Sequence, residues 1–138
     1  MADNTTILDK LRARFGDAVV ATSTDRGDAS ATVRRERIVD VATFLRDEPD
    51  LRFDMPVDVT AVDYIGQGER FETVYHLFST EHGHRVRLKA RLPESDPSIA
   101  TVSGVWVGAN WLERETWDMY GIRFAGHPDL RRIYLYEE

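Results

Sequence analysis

At 138 residues, with 42% apolar and 30% charged side chains, the chain has the size and composition of one globular domain with a single core. It contains no cysteine, which excludes disulfides, thiolate nucleophiles, Cys-ligated zinc and iron–sulfur clusters held by the chain itself. A net charge of -6 argues against general affinity for nucleic acid, because neutralising phosphates needs a basic surface.

No apolar run approaches the length of a membrane span, and the first residues lack the basic start and apolar core of a signal peptide. The expectation is a cytosolic protein, or one peripheral on the cytosolic side of a larger body. In chain order, Asn4, Thr5 or Thr6 can cap a first helix whose apolar residues Ile7, Leu8, Leu11 and Phe15 recur at helical spacing, with Gly16 placed to end it. A short strand at 18–22, a turn at 25–28 and a second strand at 30–37 make a hairpin. Val41, Phe44 and Leu45 fit one face of a second helix at 39–48, with Asp40 as its cap and Pro49 beyond its end.

The pattern then becomes strand-like. Val57, Val59 and Ala61 alternate with Asp58 and Thr60, a turn follows at 66–69, and residues 71–79 form a strand with apolar residues on both faces. Gly83 suits the positive φ of the tight turn at 81–84, where His82 and His84 read as a solvated hairpin end rather than a metal grip. Val86, Leu88, Ala90 and Leu92 alternate with Arg85, Arg87, Lys89 and Arg91, so one face is core and the other a ladder of four cations. Acids such as Asp58 and Glu72 on nearby strands can offset that ladder, which leaves it a solvated or subunit-facing surface. A polar connection at 93–97 and a short helix within 98–107 lead onward.

The densest stretch is 109–133. All three tryptophans, Trp106, Trp111 and Trp117, lie in it or just before it, among Glu113, Arg114, Glu115, Asp118, Arg123, Asp129, Arg131 and Arg132. Aromatic and Arg side chains together are the composition of an interface that must be buried and oriented, whether against the protein's own sheet or against a partner. Asn110 and Glu113 have capping-box spacing and Gly121 sits at a helix end, which predicts a helix over 111–120 with Glu113 and Glu115 at its positive end. Leu112, Thr116 and Met119 share one side of that helix, and Trp117 and Tyr120 an adjacent one. The stripe is too wide for a helix touching one layer, so the first side is expected on the sheet and the aromatic side free for something else.

Glu113, Glu115 and Asp118 could be read as an acid/base or metal cluster. The simpler reading has Arg114 and Asp118 pairing along the helix, with the other carboxylates in capping or interface roles, since no His or Cys stands at ligand spacing there. Residues 126–132, Gly-His-Pro-Asp-Leu-Arg-Arg, resemble a catalytic loop because His127 and Asp129 are close. Structurally they read as a Pro128-fixed turn, with Asp129 capping the next turn and His127 donating to a backbone carbonyl. A hydrolase would also need a nucleophile and an oxyanion site, and neither a nucleophile elbow nor a Gly-rich phosphate loop is recognisable.

Residues 58–64, 70–79, 85–90, 110–122 (Asn-Trp-Leu-Glu-Arg-Glu-Thr-Trp-Asp-Met-Tyr-Gly-Ile) and 126–133 resemble, in the same order, the motifs of one family. It is the C-subunit family, also called the 30-kilodalton subunit family, of proton-pumping NADH:quinone oxidoreductase, respiratory complex I. The resemblance covers about 53–136; residues 4–48 match only as helix, hairpin and helix. It implies an α+β fold, an antiparallel β-sheet meander packed against helices, in a single family-type domain spanning 1–138. It also implies a non-catalytic scaffold in the hydrophilic arm, peripheral on the cytoplasmic side of the bacterial inner membrane, with no activity of its own.

Within such a complex, NADH, FMN, iron–sulfur clusters and quinone would be bound by partner subunits, with none in this chain. The implied partners are the quinone-site (D) subunit, with the B and I subunits nearby. Trp111, Glu113, Arg114, Glu115, Trp117, Asp118, Tyr120, Gly121, His127, Pro128, Asp129, Arg131 and Arg132 form the signature segment expected at a subunit interface. Many members continue with a basic, Gly-His-Pro-containing tail where this sequence stops at Glu138. Three other readings stand beside this one: the equivalent subunit of a membrane-bound hydrogenase or other donor:quinone dehydrogenase, a small enzyme using His127 and Asp129, and a nucleic-acid module on the cation ladder.

Overall fold

A computed structural model describes residues 3–24, 27–66 and 68–128. The chain opens with helix α1 (Asn4–Phe15), which buries the predicted stripe Ile7, Leu8, Leu11 and Phe15. Its cap is Asp3, one residue before the expected caps, because the Asp3 carboxylate accepts the Thr6 N–H at 2.8 Å. Strands β1 (Val19–Ser23) and β2 (Ala29–Val33) form the antiparallel hairpin. The second strand is shorter than predicted, since Arg35–Arg37 turn as a single 3-10 helix into helix α2 (Ile38–Asp47). Asp40 is not the cap of α2. It lies inside the first turn and accepts from Arg37 Nε at 3.0 Å.

Strands β3 (Met55–Asp63), β4 (Phe71–Phe78) and β5 (Arg85–Leu92) form the expected antiparallel meander. The hairpin joins its far side, with β2 running parallel to β5, so the sheet is mixed and ordered β1-β2-β5-β4-β3. Register explains the core. Ala31, Leu88, Tyr75 and Val59 lie side by side across four strands, as do Ala90, Thr73 and Ala61 across three, and all are buried on one face. The buried residues of α1 and α2 belong to the same cluster, so the helices cover that face.

Val57 breaks the alternation that its sequence suggests. A bulge between Pro56 and Asp58 takes it out of the register, and it is exposed. Residues 98–107, expected as a short helix, instead give strand β6 (Ser98–Ala100) followed by turns. After helix α3 (Ala109–Tyr120), strand β7 (Arg123–Ala125) returns parallel to β6 in a second, two-stranded sheet. The α+β architecture read from the sequence is therefore present, and the surprises lie in how its pieces join.

The turn at 81–84 is not a solvated tip. His84 is buried and its Nε2–H donates to the Leu51 carbonyl at 2.7 Å, while His82 Nε2–H donates to the Pro49 carbonyl at 2.8 Å. The two rings stack, and Phe53 packs on His84 with centroids 4.8 Å apart. This pair ties the β4–β5 turn to the loop after α2.

Candidate functional site

The approach to α3 is fixed by an indole. Trp106 is buried, and its Nε1–H donates to the Phe53 carbonyl at 2.7 Å, tying the loop before the helix to the segment just ahead of β3. The helix then lies along the edge strand β3. The Thr116 hydroxyl reaches the Val59 carbonyl at 2.9 Å, which supplies a donor to a sheet edge that would otherwise need water. Gly121 ends the helix at φ 73°, and its N–H donates to the Trp117 carbonyl at 2.8 Å.

The expected capping box does not form. The helix begins at Ala109 after Gly108 with no side-chain cap, so Asn110 stands inside it and Glu113 points inward. The Glu113 side chain is fully buried; its Oε2 accepts the Val102 N–H at 2.8 Å, and its Oε1 makes a very short contact with the Thr101 hydroxyl. This one carboxyl therefore holds the segment that leads out of β6.

His127 closes the arrangement from the other side. Its side chain is fully buried, with Nε2 3.1 Å from the Asn110 carbonyl, to which it donates, and 3.8 Å from Glu113 Oε1. The predicted donation from His127 to a backbone carbonyl is thus present. Burial pushes the Glu113 carboxyl up to about 7, against the opposing pull of the bonds from Thr101 and Val102. Burial, reinforced by the Glu113 charge, also pushes the Tyr75 phenol up, against a smaller opposing pull from Thr73.

The sides of α3 divide differently from the expectation. Ala109, Glu113 and Thr116 are buried, and Leu112, Trp117 and Tyr120 pack partly buried against the chain's own core. Met119, expected on the sheet, is 69% exposed, and Trp111 is 49% exposed. The physical reason is rotation of the helix about its axis. Glu113 is drawn inward by its hydrogen bonds, so Trp117 and Tyr120 follow it and Met119 turns out.

Arg114 and Asp118 do not pair as expected. Arg114 stacks its guanidinium 5.2 Å from the Trp111 ring centre, and no carboxylate of the described residues lies within ion-pair distance of it. Glu115 and Asp118 are half-buried and each has an interaction partner. No group of three metal-ligating side chains occurs among the described residues. Pro128 is exposed beside the buried His127 ring, and Asp129, Arg131 and Arg132 lie outside the described residues. The geometry thus brings Glu113 and His127 together, leaves Trp111 and Met119 outward, and holds Arg114 half-buried against Trp111.

On the opposite sheet face the cation ladder is largely occupied. Arg87 pairs with Asp28 at 3.0 Å, Arg91 stacks over Tyr64 and donates to the Glu69 carbonyl, and Arg85 sits over Phe78. Asp28 is not among the acids suggested by sequence, whereas Glu72 stands directly across from Arg91 and accepts from the Tyr64 hydroxyl beneath it. Thr101 and Tyr75 carry no signal in the sequence that would mark them as parts of the site. Trp106 has one, the unusual tryptophan density around it.

Comparison with known proteins assigns the chain. The family described as respiratory-chain NADH dehydrogenase, 30 Kd subunit, matches residues 31–138, starting upstream of the motifs that carry the resemblance. A relative from Roseiflexus sp. (strain RS-1), the C subunit of an NADH-quinone oxidoreductase, is 51% identical over 136 residues, covering 99% of this chain and 78% of the relative. A protein of the same name from Geobacter sulfurreducens is 45% identical over 139 residues, covering 100% of this chain and 85% of the relative. Among solved structures, the trypsin-resistant fragment (1-134) of Nqo5 is 31% identical with a TM-score of 0.75, covering 90% of this chain and 96% of that one. A chain of an archaeal membrane-bound sulfane sulfur reductase shares the fold, with a TM-score of 0.80 at 23% identity over 96% of this chain and 76% of that one. The chain belongs to the 30-kilodalton subunit family of respiratory-chain NADH dehydrogenases.

Proposed function

We propose that this chain is a structural subunit of the hydrophilic arm of a membrane-associated NADH:quinone oxidoreductase, folded as one domain and peripheral on the cytoplasmic side. In this reading NADH, FMN, iron–sulfur clusters and quinone are handled by partner subunits, and the isolated chain turns over no substrate. The partner for α3 is the quinone-site (D) subunit, with the B and I subunits nearby.

One observation carries the reading. Glu113, whose side chain could have served chemistry, is buried against Thr101, Val102 and His127, while the same helix turns Trp111 and Met119 outward. A buried carboxyl that holds its own chain is suited to positioning, and an exposed Trp beside Arg is the composition of an interface hot spot. His127 is similarly unsuited to act as a free base, since its buried ring donates to the Asn110 carbonyl.

The test is to solubilise native membranes in mild detergent and identify what co-purifies with the chain. Flavin and iron–sulfur subunits for NADH are the expected result. A nickel subunit would replace the reading with the hydrogenase, an alternative kept in view by the fold shared with another membrane respiratory complex. A monomer that turns over a substrate unaided would overturn both.

A further inference from the structure

We propose that Arg114 and Trp111 on α3 form a seat for one carboxylate, carried by an Asp or Glu side chain of a neighbouring subunit. The inference rests on the reading that α3 docks a partner, and it adds the chemistry of what is received. Arg114 is the sole cation in the sequence of this helix. Its planar group lies over Trp111, and among the described residues it has neither a carboxylate partner nor a hydrogen-bond acceptor. Its Nε is also shielded from water and has no hydrogen-bond partner among the described residues.

The surroundings match that demand. Val107, 87% exposed, stands in the turn just before the helix, and Met119, 69% exposed, lies about two turns beyond Trp111, at the edge of the exposed side away from Arg114. An arginine stacked on an aromatic ring is pre-organised to take a carboxylate bidentately once a partner excludes water. Phosphate-rich ligands fit poorly, because a single cation on a chain of net charge -6 offers little to a polyanion. A second copy of this chain also fits poorly. The acids on this face, Glu115 and Asp118, already have partners, and a two-fold contact through the Arg114 region would bring like charges together.

The experiment uses the assembled complex in native membranes, with a photo-crosslinking amino acid placed at Val107 or at Met119. Both positions should crosslink to a different subunit, at a segment containing an Asp or Glu. Arg114→Glu should lower the yield of assembled complex about tenfold or more, and changing the crosslinked acid to Arg in the same strain should restore it. Arg114→Lys should retain part of the yield.

If both positions crosslink to a partner while Arg114→Gln assembles like wild type with unchanged salt sensitivity, the carboxylate seat is wrong and the docking reading survives. Crosslinks to a second copy, or failure of the charge exchange to rescue, also overturn the seat. Absence of any crosslink from either position in the intact complex overturns the docking reading of this face as well.

Discussion

Glu113 and His127 approach to 3.8 Å with both side chains fully buried, although 14 positions separate them in the sequence. Each also grips backbone on another segment, Glu113 at Val102 and His127 at Asn110. The start of α3, the exit of β6 and the turn after β7 are thereby fixed to one another. A pair placed this way acts on the helix without touching any partner.

The first prediction concerns stability against pH. Burial raises the Glu113 carboxyl to about 7 from 4.5, so the folded chain holds this proton more tightly than the unfolded chain. The resulting stabilisation is complete below the unfolded value and is lost as pH rises from about 4.5 through 7. Unfolding free energy measured in urea should fall by roughly 3 kcal/mol between about pH 5 and about pH 8 from this group. Glu113→Gln should flatten that dependence, because the amide does not titrate and its oxygen can still accept from Val102 or Thr101. A variant with the wild-type pH slope would show that Glu113 is not the source.

Glu113→Ala removes both bonds and leaves the Val102 N–H and the Thr101 hydroxyl to find new partners. A loss of about 2 to 4 kcal/mol is expected in the same measurement. Hydrogen exchange should speed up at Val102, and a loss confined to the C-terminal turn would contradict the role assigned here.

Trp106→Phe keeps most of the buried ring and deletes the bond to the Phe53 carbonyl. The expected cost is about 1 to 3 kcal/mol, since the carbonyl is left without its indole donor. Thr116→Val should cost about 1 kcal/mol for a similar reason at the Val59 carbonyl. Combining the two changes tests whether they act on one unit, because both join the α3 region to β3 or the residues before it; a coupled loss is expected.

Gly121→Ala places a Cβ at φ 73°, a backbone region that costs a side chain energy even though no atom lies within 4 Å of that Cβ. About 1 kcal/mol of destabilisation is expected, with Gly121→Asn less affected. Thermal melts of the two variants check this, and equal melting temperatures for Gly and Ala would remove the conformational argument.

Trp111→Ala and Met119→Ala change exposed residues, so melting of the chain should shift little. The assembled complex on native gels should nonetheless decrease, more for Trp111 than for Met119. Unchanged assembly with a lowered melting temperature would place these residues in the fold and not at an interface.

The strands were legible because period-two burial is a local property. Arg85–Leu92 alternate core and cation in the sequence, and the structure keeps that alternation residue for residue. The stripe of α1 and the glycine stop of α3 were legible for the same reason. What failed were statements that needed a partner distant in sequence. Val57 alternates correctly with its neighbours, but the pairing of Pro56 with Leu77 and Asp58 with His76 leaves it as the bulge. His82 and His84 look like a wet turn until the loop at 49–53 supplies two carbonyls.

The stretch at 109–133 shows the same division. The sequence by itself determined that it concentrates aromatic and charged groups, that a helix ends at Gly121, and which family the chain resembles. Only the tertiary structure decided which way the helix faces. Asn110 and Glu113 have capping-box spacing, but spacing cannot reveal that Val102 and Thr101 compete for the same carboxyl from the exit of β6. Those bonds turn Glu113 inward, carry Trp117 and Tyr120 with it, and leave Trp111 and Met119 outside. A helix is rigid enough that one buried, hydrogen-bonded side chain sets the rotation of all the others.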